Sequence, residues 1–224
     1  MKKNNAVKIC AVTLILAVLH LIAAVICIAE LPAKVPLHFN SKWVCDQVGS
    51  PWLYLIFAAV PLLSAVAALL WVKFGKMKQP KINAITLSVI PGFLIAMFWL
   101  IYPVMRSGAA VGDKIEKGYF YTLLPLLIGT MLVMLGNYMP VIEPNHVLGI
   151  RVSWTLKNPQ CWRRTHRFGG KIMVTGGLLI IVTALIALFL NQAGKTWVLI
   201  AMISILFFCL FTQLIYAYRI RNAE

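Results

Sequence analysis

The chain has 224 residues, of which 61% are hydrophobic and only 12% charged, and its mean hydropathy is +0.86. A soluble domain cannot bury that much apolar surface, so the composition excludes a soluble enzyme or binding module and predicts a membrane protein. The net charge of +15 is then a question of where the cations sit relative to the bilayer, not a sign of a nucleic-acid partner.

Six apolar runs each supply the ~20 residues that a crossing helix needs. They cover about 9–29, 52–72, 84–105, 119–139, 172–190 and 197–218. None alternates like a barrel strand, and backbone in lipid must satisfy its own hydrogen bonds, so all six are predicted helices. The predicted fold is an all-α integral membrane bundle of six transmembrane helices. The first run is too long, and lacks a small-x-small site, for a cleaved signal peptide. It carries His20 at mid-depth. Thr13, Ala17, Ala24 and Cys27 share its face, a small-residue surface suited to helix contact. A neutral, hydrogen-bonded packing histidine is expected there in preference to a proton relay.

Leu31 to Trp52 forms a rich connection after the first span. Pro32 ends the helix, and "VPLHF" is extended in character. Arg106–Gly118 and Asn191–Lys195 read as ordinary solvated turns. The fourth span carries Gly129 and Gly136, seven residues apart, and the fifth carries Gly169, Gly170, Gly176 and Gly177 with the same offset. Close backbone contact between these two helices is expected.

The basic residues set the orientation. With the N-terminus inside, 15 of the 21 lie on inner segments: Lys2, Lys3, Lys8, Lys73, Lys76, Lys78, Lys81, Arg151, Lys157, Arg163, Arg164, Arg167, Lys171, Arg219 and Arg221. Six lie outside: Lys34, Lys42, Arg106, Lys114, Lys117 and Lys195. The positive-inside rule gives N-in and C-in. Trp52, Tyr102, Tyr119 and Trp197 mark the outer boundary, and Trp71, Tyr216 and Tyr218 the inner one. Of the five cysteines only Cys45 is clearly outside, so neither a disulfide framework nor a zinc pattern is expected.

The inner connection, Met139 to Lys171, holds a polar island in a greasy chain, "GIRVSWTLKNPQCWRRTHRFGGK". Asn158-Pro159 is a helix start, with Asn as N-cap and Pro in the first turn. The helix that follows is amphipathic. Trp162, Thr165, His166 and Gly169 fall on one face, with Arg163, Arg164, Arg167 and Lys171 on another. Such a helix is expected to lie at the inner headgroup surface, its cations on anionic lipid at ~1 kcal/mol each. Anchoring alone needs no Asn145, Gly149, Trp154, Thr155, Asn158 or His166, so a folded loop with internal hydrogen bonds is expected. His166 is expected to bond to Asn145 or Thr155. His146, His166, Cys161 and Glu143 are metal-ligand types, but their spacings match no known pattern and no metal or other cofactor is assigned.

Asn145, Gly149, Ile150, Arg151, Trp154, Thr155, Leu156, Trp162, Thr165, His166, Arg167, Gly169 and Gly170 together resemble the signature of the SdpI family of bacterial membrane proteins. Many members carry Thr-Pro where this chain has Val152-Ser153. The outer loop is similar to the domain of unknown function often joined N-terminally to that family, through Pro32, Pro36, His38, Asn40, Asp46, Gly49 and Ser50; a turn glycine is replaced near Trp43. The resemblance implies a bacterial cytoplasmic membrane protein with an N-terminal region over residues 1–105 and an SdpI-like region over residues 106–224. It also implies immunity to a secreted membrane-active peptide toxin outside, capture of a transcriptional repressor inside, and no catalysis. His38, Asn40 and Asp46 either line an outer recognition site or fix the loop.

Two other classes stay open. Pro32-x3-Pro36-x-His38 recurs as Pro140-x3-Pro144-x-His146, which would suit a transporter of small molecules or lipids built from two inverted halves. A membrane enzyme would use His166 and Arg151 on a headgroup phosphate, although no nucleophile–base pair is evident.

Overall fold

The computed structural model describes residues 2–40, 42–75, 79–114 and 120–222. Lys76, Lys78, Lys117 and Tyr119, used above to set orientation and boundary, lie outside the described residues. Among the described residues, six helices are long and apolar enough to cross a membrane: α1 (Lys2–Ala29), α2 (Tyr54–Phe74), α3 (Pro80–Arg106), α4 (Phe120–Tyr138), α6 (Pro159–Ile186) and α7 (Gln192–Arg219). Between them lie a hairpin of β1 (Val35–Phe39) and β2 (Cys45–Gly49), and a one-turn helix, α5 (Ser153–Lys157). The all-α multi-pass architecture is therefore the observed one.

Small residues mark the buried helix faces. On α1, Ala6, Cys10, Ala17, His20, Ala24 and Ile28 are buried, while Val12, Ile15, Leu16, Leu19 and Ile26 point outward. Lipid is as apolar as leucine, so large side chains gain nothing by turning inward. Close backbone approach and dispersion hold the helices instead. Internal prolines at 61, 91, 103 and 125 leave α2, α3 and α4 unbroken.

α1, α2 and α3 pack together, α4 packs on α6 and α6 on α7, and α3 joins the two groups through α4. The predicted glycine contact is the α4–α6 seam. A Cβ on Gly129 would stand 2.7 Å from the Gly177 carbonyl, and one on Gly177 would stand 2.6 Å from the Gly129 carbonyl. Gly136 and Gly170 repeat the relation at 2.9 and 2.7 Å. Gly169 and Gly176 instead face Gln213 and Cys209 of α7, so adjacent glycines serve two neighbours.

Three expectations are corrected. The helix from Pro159 is not a separate element lying along the headgroups. It runs unbroken through Ile186, because no proline interrupts it and its glycines are packed on both sides. Its 28 residues span about 42 Å against a core of ~30 Å, so the first turns project beyond the hydrocarbon along the axis of the span. Asn191–Lys195 is not a turn but the start of α7, with Asn191 capping the Gly194 N–H at 2.9 Å. The 107–114 segment is not a free turn either: Cys45 N–H donates to Asp113 O at 2.9 Å and Gly112 N–H to Cys45 O at 2.8 Å, which docks it on the hairpin edge.

All five cysteines are free. Cys45, placed outside by the sequence, is 1% exposed beneath that docked segment, and Cys161 is fully buried.

Candidate functional site: the inner loop clamped on α6

Residues 139–158 wrap the projecting end of α6. Asn158 caps the helix as its sequence predicts, accepting from Gln160 N at 2.9 Å and Cys161 N at 3.1 Å. One turn further on, Trp162 and His166 stand four residues apart on the same buried face. Each grips one backbone point of the loop. The Trp162 indole N–H donates to Ile142 O at 2.8 Å. The Ile150 N–H donates to His166 Nε2 at 3.0 Å, and Nδ1 stands 2.9 Å from Trp162 O. Since Nε2 accepts, the proton sits on Nδ1 and is donated to that carbonyl; the ring is neutral. The two rings stack, with centroids 3.9 Å apart.

The partners expected for His166, Asn145 and Thr155, are not its partners. Both act one step away. Thr155, fully buried, donates its hydroxyl to Ile150 O at 2.7 Å, so the Ile150 residue is held at both its N–H and its carbonyl. Asn145 closes a turn: its Oδ1 accepts from Val147 N and Leu148 N at 2.8 and 2.7 Å, and its amide donates to Glu143 O at 2.8 Å. The Arg151 guanidinium donates to His146 O. Gly149 has φ +103, and a Cβ there would overlap the His166 ring, so the turn beside the histidine admits glycine alone. Thr165 is fully buried beside the Cys161 thiol, 3.9 Å away.

Trp154, at the start of α5, is half-buried and meets Tyr218 of α7 edge to face at 5.7 Å. Its indole N–H is buried with no acceptor among the described residues. Val152 occupies the N-cap of α5 with no side-chain hydrogen bond.

The outward side of this clamp is cationic. Arg163, Arg164, Arg167 and Lys171 are all exposed, and none pairs with a carboxylate among the described residues. The arrangement can present positive charge on a rigid helix end. It does not assemble the enzyme pair considered above, since His166 is enclosed with both nitrogens engaged and Arg151 holds the loop. Among the described residues no three His, Cys, Asp or Glu converge as metal ligands.

The other candidates lie elsewhere. On the outer face His38 Nδ1 contacts Asp46 Oδ1 at 2.6 Å across the hairpin. Asn40 Oδ1 accepts from Lys42 N and Val44 N at 2.9 and 3.2 Å and so closes the turn. Trp43, where a glycine was expected, keeps the left-handed conformation at φ +61. His20 is 5% exposed at mid-membrane, edge-on to Phe98 and Trp99 at 5.0 and 5.9 Å, and neither ring nitrogen has a hydrogen-bond partner among the described residues. The hydrogen-bonded packing histidine expected from the sequence is thus a packed histidine without hydrogen bonds. Sequence reasoning missed the carbonyl of Ile142 and the peptide of Ile150, because backbone partners leave no mark in residue type.

The clamp and the helices behind it coincide with a known pattern. The SdpI/YfhL protein family model matches residues 141–212, from the loop through most of α7. The immunity protein SdpI of Bacillus subtilis (strain 168) is 24% identical over 182 residues, covering 81% of each chain. Over this stretch the chain is similar to the SdpI family. No solved structure matches it. Six helices long and apolar enough to cross a membrane, together with this similarity, make it a multi-pass bacterial membrane protein.

Proposed function

We propose that this protein belongs to the SdpI family and is a non-catalytic membrane immunity and sensing protein. It protects its cell from a secreted, membrane-active peptide, meeting it at the outer loops and lipid-facing spans, and signals through the inner loop, whose cationic face offers a repressor or anionic lipid a docking surface. The observation that carries this reading is the similarity to a protein named as an immunity protein along four-fifths of both chains. The clamp supports it: a loop fixed by Trp162, His166, Thr155 and Gly149 holds its cations in one geometry, which anchoring alone does not require. The test is survival of a toxin-sensitive bacterium expressing the chain, scored against a panel of secreted peptides. Trp154→Ala and His166→Ala are expected to reach the membrane at normal levels and to lose protection. Full protection by both variants would remove the inner loop from the mechanism, and no protection by the parent against any peptide would remove the function.

A transporter of small molecules or lipids, divided at residue 105 into two inverted three-helix halves, is the second reading. His20, without a hydrogen-bond partner among the described residues, favours it, since ionisable groups inside a membrane tend to be functional. Against it, the paired Pro-x3-Pro-x-His segments fold differently: Val35–Phe39 is a strand, whereas 142–152 is neither helix nor strand. The described cavities are also lined mainly by apolar side chains. His20→Leu separates the readings, because transport fails without the imidazole while protection through the loops survives.

A further inference from the structure

On the outer side, the hairpin, α2, α3 and the start of α4 enclose a cavity of about 550 Å³. That volume falls within the ~300–1,000 Å³ of small-molecule sites. Its wall includes Leu37, Trp43, Tyr54, Phe98, Met105 and Phe120. Ile56 and Phe57, 65% and 64% exposed, form the side that faces lipid. The wall offers no free hydroxyl, because Tyr54 donates its own to Pro36 O at 2.5 Å. Such a lining suits hydrocarbon.

The exposed residues adjoining Trp43 have the opposite character. Lys42 directly precedes Trp43, and Lys114 pairs across a bridge with Val44, which directly follows it. Both lysines are exposed and neither has a carboxylate partner among the described residues. Among the described residues, Asp46 is engaged with His38 and Asp113 with the Ala110 N–H at 2.8 Å. Trp43 itself is held at φ +61, a left-handed conformation that is strained for an L-residue. Glycine would remove that strain. The chain instead keeps an indole there, 6.2 Å from the Phe120 ring, where it lines the wall. Strain at one residue of a cavity wall points to a use for its side chain.

The geometry points to a phospholipid site: an anionic phospholipid of the outer leaflet, with an acyl chain in the cavity and its phosphate at Lys42 and Lys114. An apolar cavity with exposed lysines adjoining Trp43 of its wall matches an amphiphile with a hydrocarbon tail and an anionic head. It disfavours a cationic peptide.

The test is native mass spectrometry of the purified full chain in detergent, titrated with phosphatidylglycerol, with phosphatidylcholine of the same chains, and with glycerophosphoglycerol lacking chains. One phosphatidylglycerol is expected to be retained preferentially and the tail-less headgroup not at all. Lys42→Ser and Lys114→Ser should each weaken retention roughly fivefold, as loss of one cation at a charged headgroup predicts. Trp43→Gly should abolish retention without lowering the melting temperature. The inner variant with Arg163, Arg164, Arg167 and Lys171 neutralised should keep this lipid. Equal retention of phosphatidylcholine, binding of the tail-less headgroup, indifference to the two lysine variants, or loss of the lipid only in the inner variant would overturn the site. So would a concentration-dependent dimer that carries no lipid, since a second copy would then fill the cavity. The lysine variants leave the hydrophobic core untouched and decide the matter even if Trp43→Gly unfolds. Survival against peptides is scored separately, so failure of this site leaves the proposed protection standing.

Discussion

Gly149→Ala tests the clamp most directly. At φ +103 the new methyl group carries a left-handed strain of roughly 1–2 kcal/mol. It also overlaps the His166 ring and displaces it from the Ile150 N–H, leaving a buried donor unpaired at roughly 1–3 kcal/mol. The sum, roughly 2–5 kcal/mol, falls on the loop and not on the six helices. Local opening should therefore rise between about 30-fold and several thousand-fold. Hydrogen exchange across 147–157, and trypsin cleavage at Arg151 and Lys157 in inside-out vesicles, both read that opening. The decisive measurement is a double-mutant cycle with His166→Ala. Once the ring is gone, alanine at 149 has nothing to strike and the Ile150 donor is already unpaired, so Gly149→Ala adds the backbone strain alone. Non-additivity of roughly 1–3 kcal/mol is expected. Strictly additive effects, or a Gly149→Ala protein as protected as the parent, would refute the clamp.

Three further outcomes follow from the same structure. Because Cys45 and Cys161 are enclosed, topology is best read from exposed positions: Lys34→Cys should react with an impermeant thiol reagent in intact cells and Lys157→Cys only after lysis, and reaction of Lys157→Cys in intact cells would reverse the orientation. Gly177→Ala should lower the melting temperature in detergent, since its Cβ meets the Gly129 carbonyl at 2.6 Å and overpacking costs roughly 1–3 kcal/mol, whereas Gly92→Ala, with nothing within 4 Å, should be neutral or raise it; equal effects would deny the α4–α6 seam. Neutralising Arg163, Arg164, Arg167 and Lys171 together should weaken binding of anionic vesicles by ~1 kcal/mol per residue while leaving insertion intact, and unchanged binding would assign that face to a protein partner.

The sequence alone determined what depends on composition and on local chemistry. Crossing a bilayer needs only length and apolarity, so six spans were legible. Orientation rests on a count of cations, and the α6 start on an Asn-Pro pair that caps its own helix. The glycines at 129, 136, 170 and 177 announced a close seam, because in lipid small residues are the visible sign of contact. Tertiary structure decided whatever depended on which backbone a side chain meets. His166 was recognisable as a member of a pattern, yet its acceptor role appears only when the chain returns to place the Ile150 peptide against it. Cys45 looked accessible until the 107–114 segment docked over it. Trp43 could be seen to replace a glycine, but its left-handed backbone and its place in a cavity wall belong to the folded hairpin. Hydropathy is nearly uniform around a spanning helix, so it marks no inward face. Which side chains meet is settled by shape and by backbone hydrogen bonds, and those exist only once the helices have packed.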